Sequence, residues 1–207
     1  MRINHIDLSG HGKVSYVNND LKLIIFAVAK TGTTSIRNIF NAKECYYDHN
    51  VHKDYKKIII IRDPLTRIVS AYTQTLKPHN KPWRHLVTNS SYYKQRNNKI
   101  NSFELFIELL ENVGEDYFDA HVIPQHFNLK YNDLTIEDFD YVIDFSRYQE
   151  SVLKLMKINN INKILLHKNK KAFNLNIIKY ENRIKELYKK DMELYEYVKQ
   201  NNMLNKL

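Results

Sequence analysis

The sequence predicts an α/β fold, a three-layer sandwich with a central parallel sheet. Two observations carry that expectation. Apolar, β-branched runs recur at 21–29, 56–62 and 139–145, each bounded by polar text. Between them, apolar residues fall at helical spacing, so strands alternate with helices, as in a parallel sheet covered on both faces.

The elements follow in order. "LKLIIFAVA" (21–29) is a buried strand, followed by Ile36, Ile39 and Phe40 at i, i+3, i+4. "KKIIIIR" (56–62) is a second buried strand. After it Leu65, Ile68, Val69 and Tyr72 form one face of a helix, with Asp63 as N-cap and Pro64 at the first position. Residues 77–101 are polar and basic and read as a long loop. Ser102 caps a helix marked by Phe103, Phe106, Ile107 and Leu110. "FDYVIDF" (139–145) is a third strand, Ser146 to Ile158 its following helix, and "KILLH" (163–167) a candidate short strand. Ile184, Tyr188, Met192, Tyr195 and Val198 predict one face of a final helix.

With 207 residues, the chain is expected to form one domain over 1–207. Its longest apolar run, Leu23 to Ala29, is far short of the roughly 20 residues that span a bilayer. No signal-peptide pattern opens the chain, so a cytoplasmic protein is expected. The only cysteine is Cys45, which excludes an internal disulfide and fits a reducing compartment. A net charge of +9 suits an anionic ligand, although heavy use of Lys, Asn and Ile also fits AT-rich coding.

Two motifs stand at strand ends. Lys30-Thr31-Gly32-Thr33-Thr34-Ser35 joins the first strand to a helix. Such a turn gathers backbone N–H groups, hydroxyls and the Lys30 charge, and suits a phosphate. It lacks the G-K-[ST] of a triphosphate-hydrolysing loop. Arg62 ends the second strand, with Ser70 on the helix behind it, and arginine suits a bidentate phosphate contact. Ligands of open α/β sheets bind at the carboxyl ends of strands, where Lys30 and Arg62 both stand.

These two stretches resemble the 5′-phosphosulfate loop and the R-D-P-x-x-R-x-x-S-x-Y motif of sulfotransferases, and most closely the carbohydrate group typified by the Golgi chondroitin and heparan enzymes. "DAHVIPQ" (119–125) is similar to that family's H-W-x-P-Q segment, with Val122 in place of Trp. "FDYVIDFSRYQES", "LLHKNKK" (165–171) and "IKELYKKDMELYEY" (184–197) resemble later segments, so the likeness covers roughly 21–198. The Golgi anchor and luminal cysteines of the family are absent from this sequence.

The resemblance implies a P-loop NTPase-like sulfotransferase fold and 3′-phosphoadenosine 5′-phosphosulfate (PAPS) as co-substrate, with no metal. It assigns Lys30 to the leaving 5′-phosphate oxygen and Thr31, Gly32, Thr33, Thr34 and Ser35 to the phosphosulfate. Arg62 and Ser70 take the 3′-phosphate, and Lys168 or Asn169 closes over the nucleotide. The general base is expected among His52, His121 and His49, with His52 first. The acceptor is a carbohydrate or other hydroxyl compound. The basic, aromatic stretch 77–99 is an acceptor loop, a solvated loop or a single-strand nucleic-acid surface. Two other readings are weighed against the transferase: a nucleotide kinase needing Mg²⁺, and a non-catalytic nucleic-acid-binding protein.

Overall fold

A computed structural model of the chain describes residues 14–75, 102–115, 118, 120–163, 177–201 and 203. Strands β1 (Val14–Asn18), β2 (Leu23–Phe26), β3 (Lys43–Tyr46), β4 (Lys56–Ile61) and β5 (Tyr141–Asp144) form one sheet in the order β3-β1-β2-β4-β5. β2, β4 and β5 pair in parallel, and β1 runs antiparallel to both β2 and β3. The fold is therefore α/β with a mixed sheet in which all strands but β1 point the same way. The parallel part matches the three apolar runs. β1 and β3 go beyond the expected sheet, because "VSYVN" and the mostly exposed "KECY" carry no buried-strand pattern.

Both faces of the sheet are covered, which explains why its central strands are continuously apolar. Leu23, Ile25, Ile58, Ile60 and Ile143 pack on α1 (Thr33–Ile39) and on Val152, Leu155 and Met156 of α5 (Tyr148–Ile158). Ile24, Phe26, Ile59, Ile61 and Val142 face the other way, against Val198 and Leu194 of α7 (Lys189–Gln200) and Leu129 of α4 (His126–Tyr131). Side chains of alternating residues point to opposite faces of a strand, so one sequence run feeds two cores.

A third cluster lies among helices. Ile68, Ala71 and Tyr72 of α2 (Pro64–Thr75) meet Phe103, Phe106, Ile107 and Leu110 of α3 (Phe103–Val113) and Ile184 of α6 (Glu181–Leu187). The caps follow the sequence. Asp63 Oδ2 accepts from Thr66 N at 3.0 Å, and Ser102 Oγ from Leu105 N at 3.2 Å. Arg183 ties α6 to α3 by a fork on Glu111, at 2.7 and 2.6 Å, and by a further contact with Glu104.

Two expected helices differ. Ser146 belongs to a 3₁₀ turn, Phe145–Arg147, and the α-helix begins at Tyr148. The expected final helix is two helices broken at Tyr188 (φ −115°, ψ 31°), whose hydroxyl donates to the Val122 carbonyl at 2.7 Å. That helical stretch also buries Asp191, a residue the apolar stripe leaves out. The candidate strand 163–167, apart from Lys163, and the stretch 77–101 lie outside the described residues. No described helix is long and apolar enough to cross a membrane.

Phe106 is fully buried and its ring meets those of Tyr72 and Phe103. Phe106→Ala is expected to cost about 3–5 kcal/mol in chemical denaturation. Ser102→Ala removes only a cap and is expected to cost about 1 kcal/mol.

Candidate functional site

The stretch after β2 is curled by its own hydroxyls. Thr31 Oγ1 and Thr33 Oγ1 both donate to the Val28 carbonyl, each at 2.7 Å. Lys30 (φ 68°) and Gly32 (φ 82°) adopt left-handed backbone on either side of Thr31. For lysine that region is uncommon, and it signals a backbone held by its surroundings. Part of the hold is visible: Arg62 Nη1 donates to the Lys30 carbonyl at 2.8 Å, and the Tyr148 hydroxyl to the Gly32 carbonyl at 3.0 Å. A Cβ on Gly32 would stand 2.8 Å from Tyr148 Cε2, so glycine is required by space as well as by φ. The Thr31 and Thr33 hydroxyl protons thus shape the loop, while Thr34 and Ser35 are exposed.

Arg62 leaves the carboxyl end of β4. Its Nε donates to Thr66 Oγ1 at 3.3 Å, and its guanidinium lies over the Phe145 ring, 4.4 Å from the centroid. Burial, and then the neighbouring charge of Arg67, lower its pKa to about 10. Both causes penalise the cation, and an anion beside it would relieve them. Arg67 is fully buried; its Nη2 donates to the Ile123 carbonyl at 2.7 Å and lies 3.8 Å from Asp191 Oδ2.

The segment His121-Val122-Ile123-Pro124-Gln125 is bonded to the second motif at Arg62 and Arg67 and lines one cleft with the first. The Gln125 side chain accepts from Arg62 N at 2.9 Å and donates to Arg62 O at 2.8 Å. Its own N–H donates to Asp191 Oδ2 at 2.7 Å, and His126 N donates to Asp191 Oδ1 at 2.9 Å. Val122 is fully buried, so the position where the resembling family has Trp is a core position here.

These parts enclose a cleft of about 520 Å³. Lys30, Gly32, Thr33 and Thr34 line it from the first motif, Ser70 from the second, and His121 from the third. Tyr16 and Glu44 line it from β1 and β3. Thr31 and Ser35 adjoin lining residues along the chain without being among them, and Arg62, also not among them, reaches the lining residues Lys30 and Gln125 through hydrogen bonds. His49 and His52 are not among its lining residues either. His52 is 7 % exposed, its ring stacked on Tyr47 at 5.9 Å and edge-on to Tyr55 at 5.1 Å. His49 is exposed, with Nδ1 3.3 Å from the Tyr47 hydroxyl. Lys168 and Asn169 lie outside the described residues. Among the described residues, no group of three or more His, Cys, Asp or Glu could hold a metal ion.

Sequence reasoning missed Glu44, Gln125 and Asp191. Glu44 had a usable signal, since it is a carboxylate in the interval between the Lys30 and Arg62 motifs that also holds His49 and His52. Asp191 had none, because a lone Asp in a charged helix reads as solvated.

Gly32→Ala is expected to cost about 1–3 kcal/mol, read as a Tm lowered by roughly 2–12 °C. Burial, and then the charge of Glu44, push the Cys45 thiol up to about 11. At neutral pH it stays protonated, so iodoacetamide is expected to alkylate it far more slowly than free cysteine, with the rate rising as pH climbs toward that value.

A family model described as the sulfotransferase family matches residues 43–198. Searches of curated proteins and of solved structures give no match. The matched span holds the Arg62 motif, the His121 to Gln125 segment and the Asp191 helix, while the Lys30 loop precedes it. By that match over most of its length, the chain belongs to the sulfotransferase family.

Proposed function

We propose that the chain, acting as one transferase domain, moves a sulfuryl group from PAPS to a hydroxyl of a carbohydrate or glycan-like acceptor, with 3′-phosphoadenosine 5′-phosphate as the other product. The observation that carries this reading is the meeting of three separate motifs in one cleft, with Arg62 bonded to the carbonyl of Lys30. Function resides in such a site rather than in the fold.

The residues fit the nucleotide. Lys30 and Arg62 are cations at neighbouring strand ends, and Lys30 and Gly32 hold left-handed backbone in the turn that lines the cleft. Gly32, Thr33 and Thr34 would hold the phosphosulfate through backbone N–H groups, and Thr34 and Ser35 through their hydroxyls. Arg62 and Ser70 would hold the 3′-phosphate. The bound nucleotide supplies an activated sulfuryl group on its 5′-phosphate. Lys30 stabilises the charge that develops on the leaving 5′-phosphate oxygen. A base in the cleft takes the acceptor's hydroxyl proton while the acceptor oxygen bonds to sulfur.

Two groups lining the cleft can accept that proton, Glu44 and His121. They supersede His52 as first choice, because His52 sits between aromatic rings away from the lining. Tyr16 beside Glu44 offers an aromatic face to a sugar ring. A reducing, cytoplasmic setting is part of the reading and rests on the single cysteine.

Calorimetry with 3′-phosphoadenosine 5′-phosphate tests the site. Tight binding is expected, weakened about ten- to hundredfold by Lys30→Ala or Arg62→Ala, the scale of a lost charge-assisted bond. Equal binding of ATP with Mg²⁺ would sink the reading. For the base, Glu44→Gln and His121→Asn are compared in an acceptor screen with labelled PAPS. The true base is expected to lower kcat by about 10²–10⁴-fold with nucleotide affinity kept.

A further inference from the structure

Arg62 is held from behind by a chain of buried hydrogen bonds that starts on a distant helix. Only two of the five guanidinium N–H donors have protein acceptors among the described residues, Thr66 Oγ1 and the Lys30 carbonyl. The others remain for an anion. The direction in which they point depends on the Arg62 peptide, and Gln125 holds that peptide at both ends. Its Oε1 accepts from Arg62 N at 2.9 Å and its Nε2 donates to Arg62 O at 2.8 Å. The reverse orientation of the amide would set like dipoles against each other, so Gln125 has one acceptable pose here.

Gln125 is in turn held by Asp191. The Gln125 and His126 N–H groups donate to the two carboxylate oxygens at 2.7 and 2.9 Å. His126 Nδ1 lies 2.9 Å from Oδ1, and Arg67 Nη2 lies 3.8 Å from Oδ2. Gln125 is 1 % exposed, and Arg67 and Asp191 are fully buried. Asp191 is 66 residues from Gln125 in the chain, and Gln125 63 residues from Arg62. A buried carboxylate is costly unless each oxygen is used. Here its bonds fix one segment, and that segment's side chain fixes one arginine.

We propose that Gln125 and Asp191 are positioning residues for nucleotide selectivity: Asp191 locks the Gln125 segment, and Gln125 locks the Arg62 peptide so that the guanidinium meets a ribose 3′-phosphate. The proposal rests on the reading of Arg62 as the 3′-phosphate ligand. It gives the pair an effect that general stabilisation of the fold lacks. Loosening Arg62 removes the increment of affinity due to the 3′-phosphate and weakens one bond to the Lys30 carbonyl; the 5′ side is affected less, because the Thr31 and Thr33 hydroxyls on the Val28 carbonyl and Tyr148 on the Gly32 carbonyl still hold that loop.

The test measures the Kd of adenosine 3′,5′-bisphosphate and of adenosine 5′-monophosphate by calorimetry on the full chain. Wild type, Gln125→Leu and Asp191→Asn are compared, with thermal melts beside them. Wild type is expected to favour the bisphosphate by about tenfold or more, the scale of one charge-assisted contact. Each variant is expected to lose most of that ratio while its monophosphate Kd changes less than about threefold. Both Kd values rising together, or the ratio surviving in Gln125→Leu, would overturn the proposal. Should Asp191→Asn not fold, Gln125→Leu decides alone, since it leaves the Asp191 bonds to backbone intact. A wild type without preference for the bisphosphate fails at the earlier step, the role of Arg62, and takes the proposal with it.

Discussion

The Asp191 carboxylate is sealed from water, and its hydrogen bonds go to Gln125 N, His126 N and His126 Nδ1, beside the Arg67 guanidinium. Removing one partner of a buried ion pair strands the other and costs about 3–5 kcal/mol. The segment that lines one wall of the cleft therefore cannot drift from the C-terminal helices without a large penalty. Through Gln125 the constraint reaches Arg62, and through the Arg62 side chain it reaches the Lys30 carbonyl. Three stretches far apart in the chain are thus tied at one strand edge.

The same edge holds backbone that would relax if left alone. Left-handed geometry at a lysine is kept only where surroundings over-determine it. Here the surroundings include Arg62 on the Lys30 carbonyl, Tyr148 on the Gly32 carbonyl, and two threonine hydroxyls on Val28. Gly32 fits under Tyr148 and Phe145 because it lacks a Cβ. The loop is therefore preorganised by the elements around it, and little of its shape comes from helix capping, since Gly32 caps α1 without a side-chain bond. Preorganisation of this kind is what a charge-stabilising site requires.

Much of this was legible in the residues. The runs at 21–29, 56–62 and 139–145 are apolar at every inward position of both faces, and they became β2, β4 and β5. Asp63 and Ser102 announced their helices through capping chemistry that acts within one turn. The edge strands were not legible. β3 is largely exposed and polar, and only pairing with β1 makes it a strand. The break at Tyr188 was hidden because the apolar spacing continues across it, and the hydroxyl bond to Val122 that accompanies it is a contact between distant segments.

By itself the sequence determined the class of the fold and the two strand-end motifs and their order, because strand burial, helix caps and loop chemistry are written in neighbouring residues. Tertiary structure alone decided which proton acceptors face the cleft. His52 is packed between Tyr47 and Tyr55, whereas Glu44 is brought to the lining by the pairing of β3 with β1. It also decided that Asp191 is a buried hub rather than a solvated charge. The physical reason is common to both: desolvation and hydrogen-bond partnership belong to the assembled surroundings of a side chain, and local spacing carries no record of them.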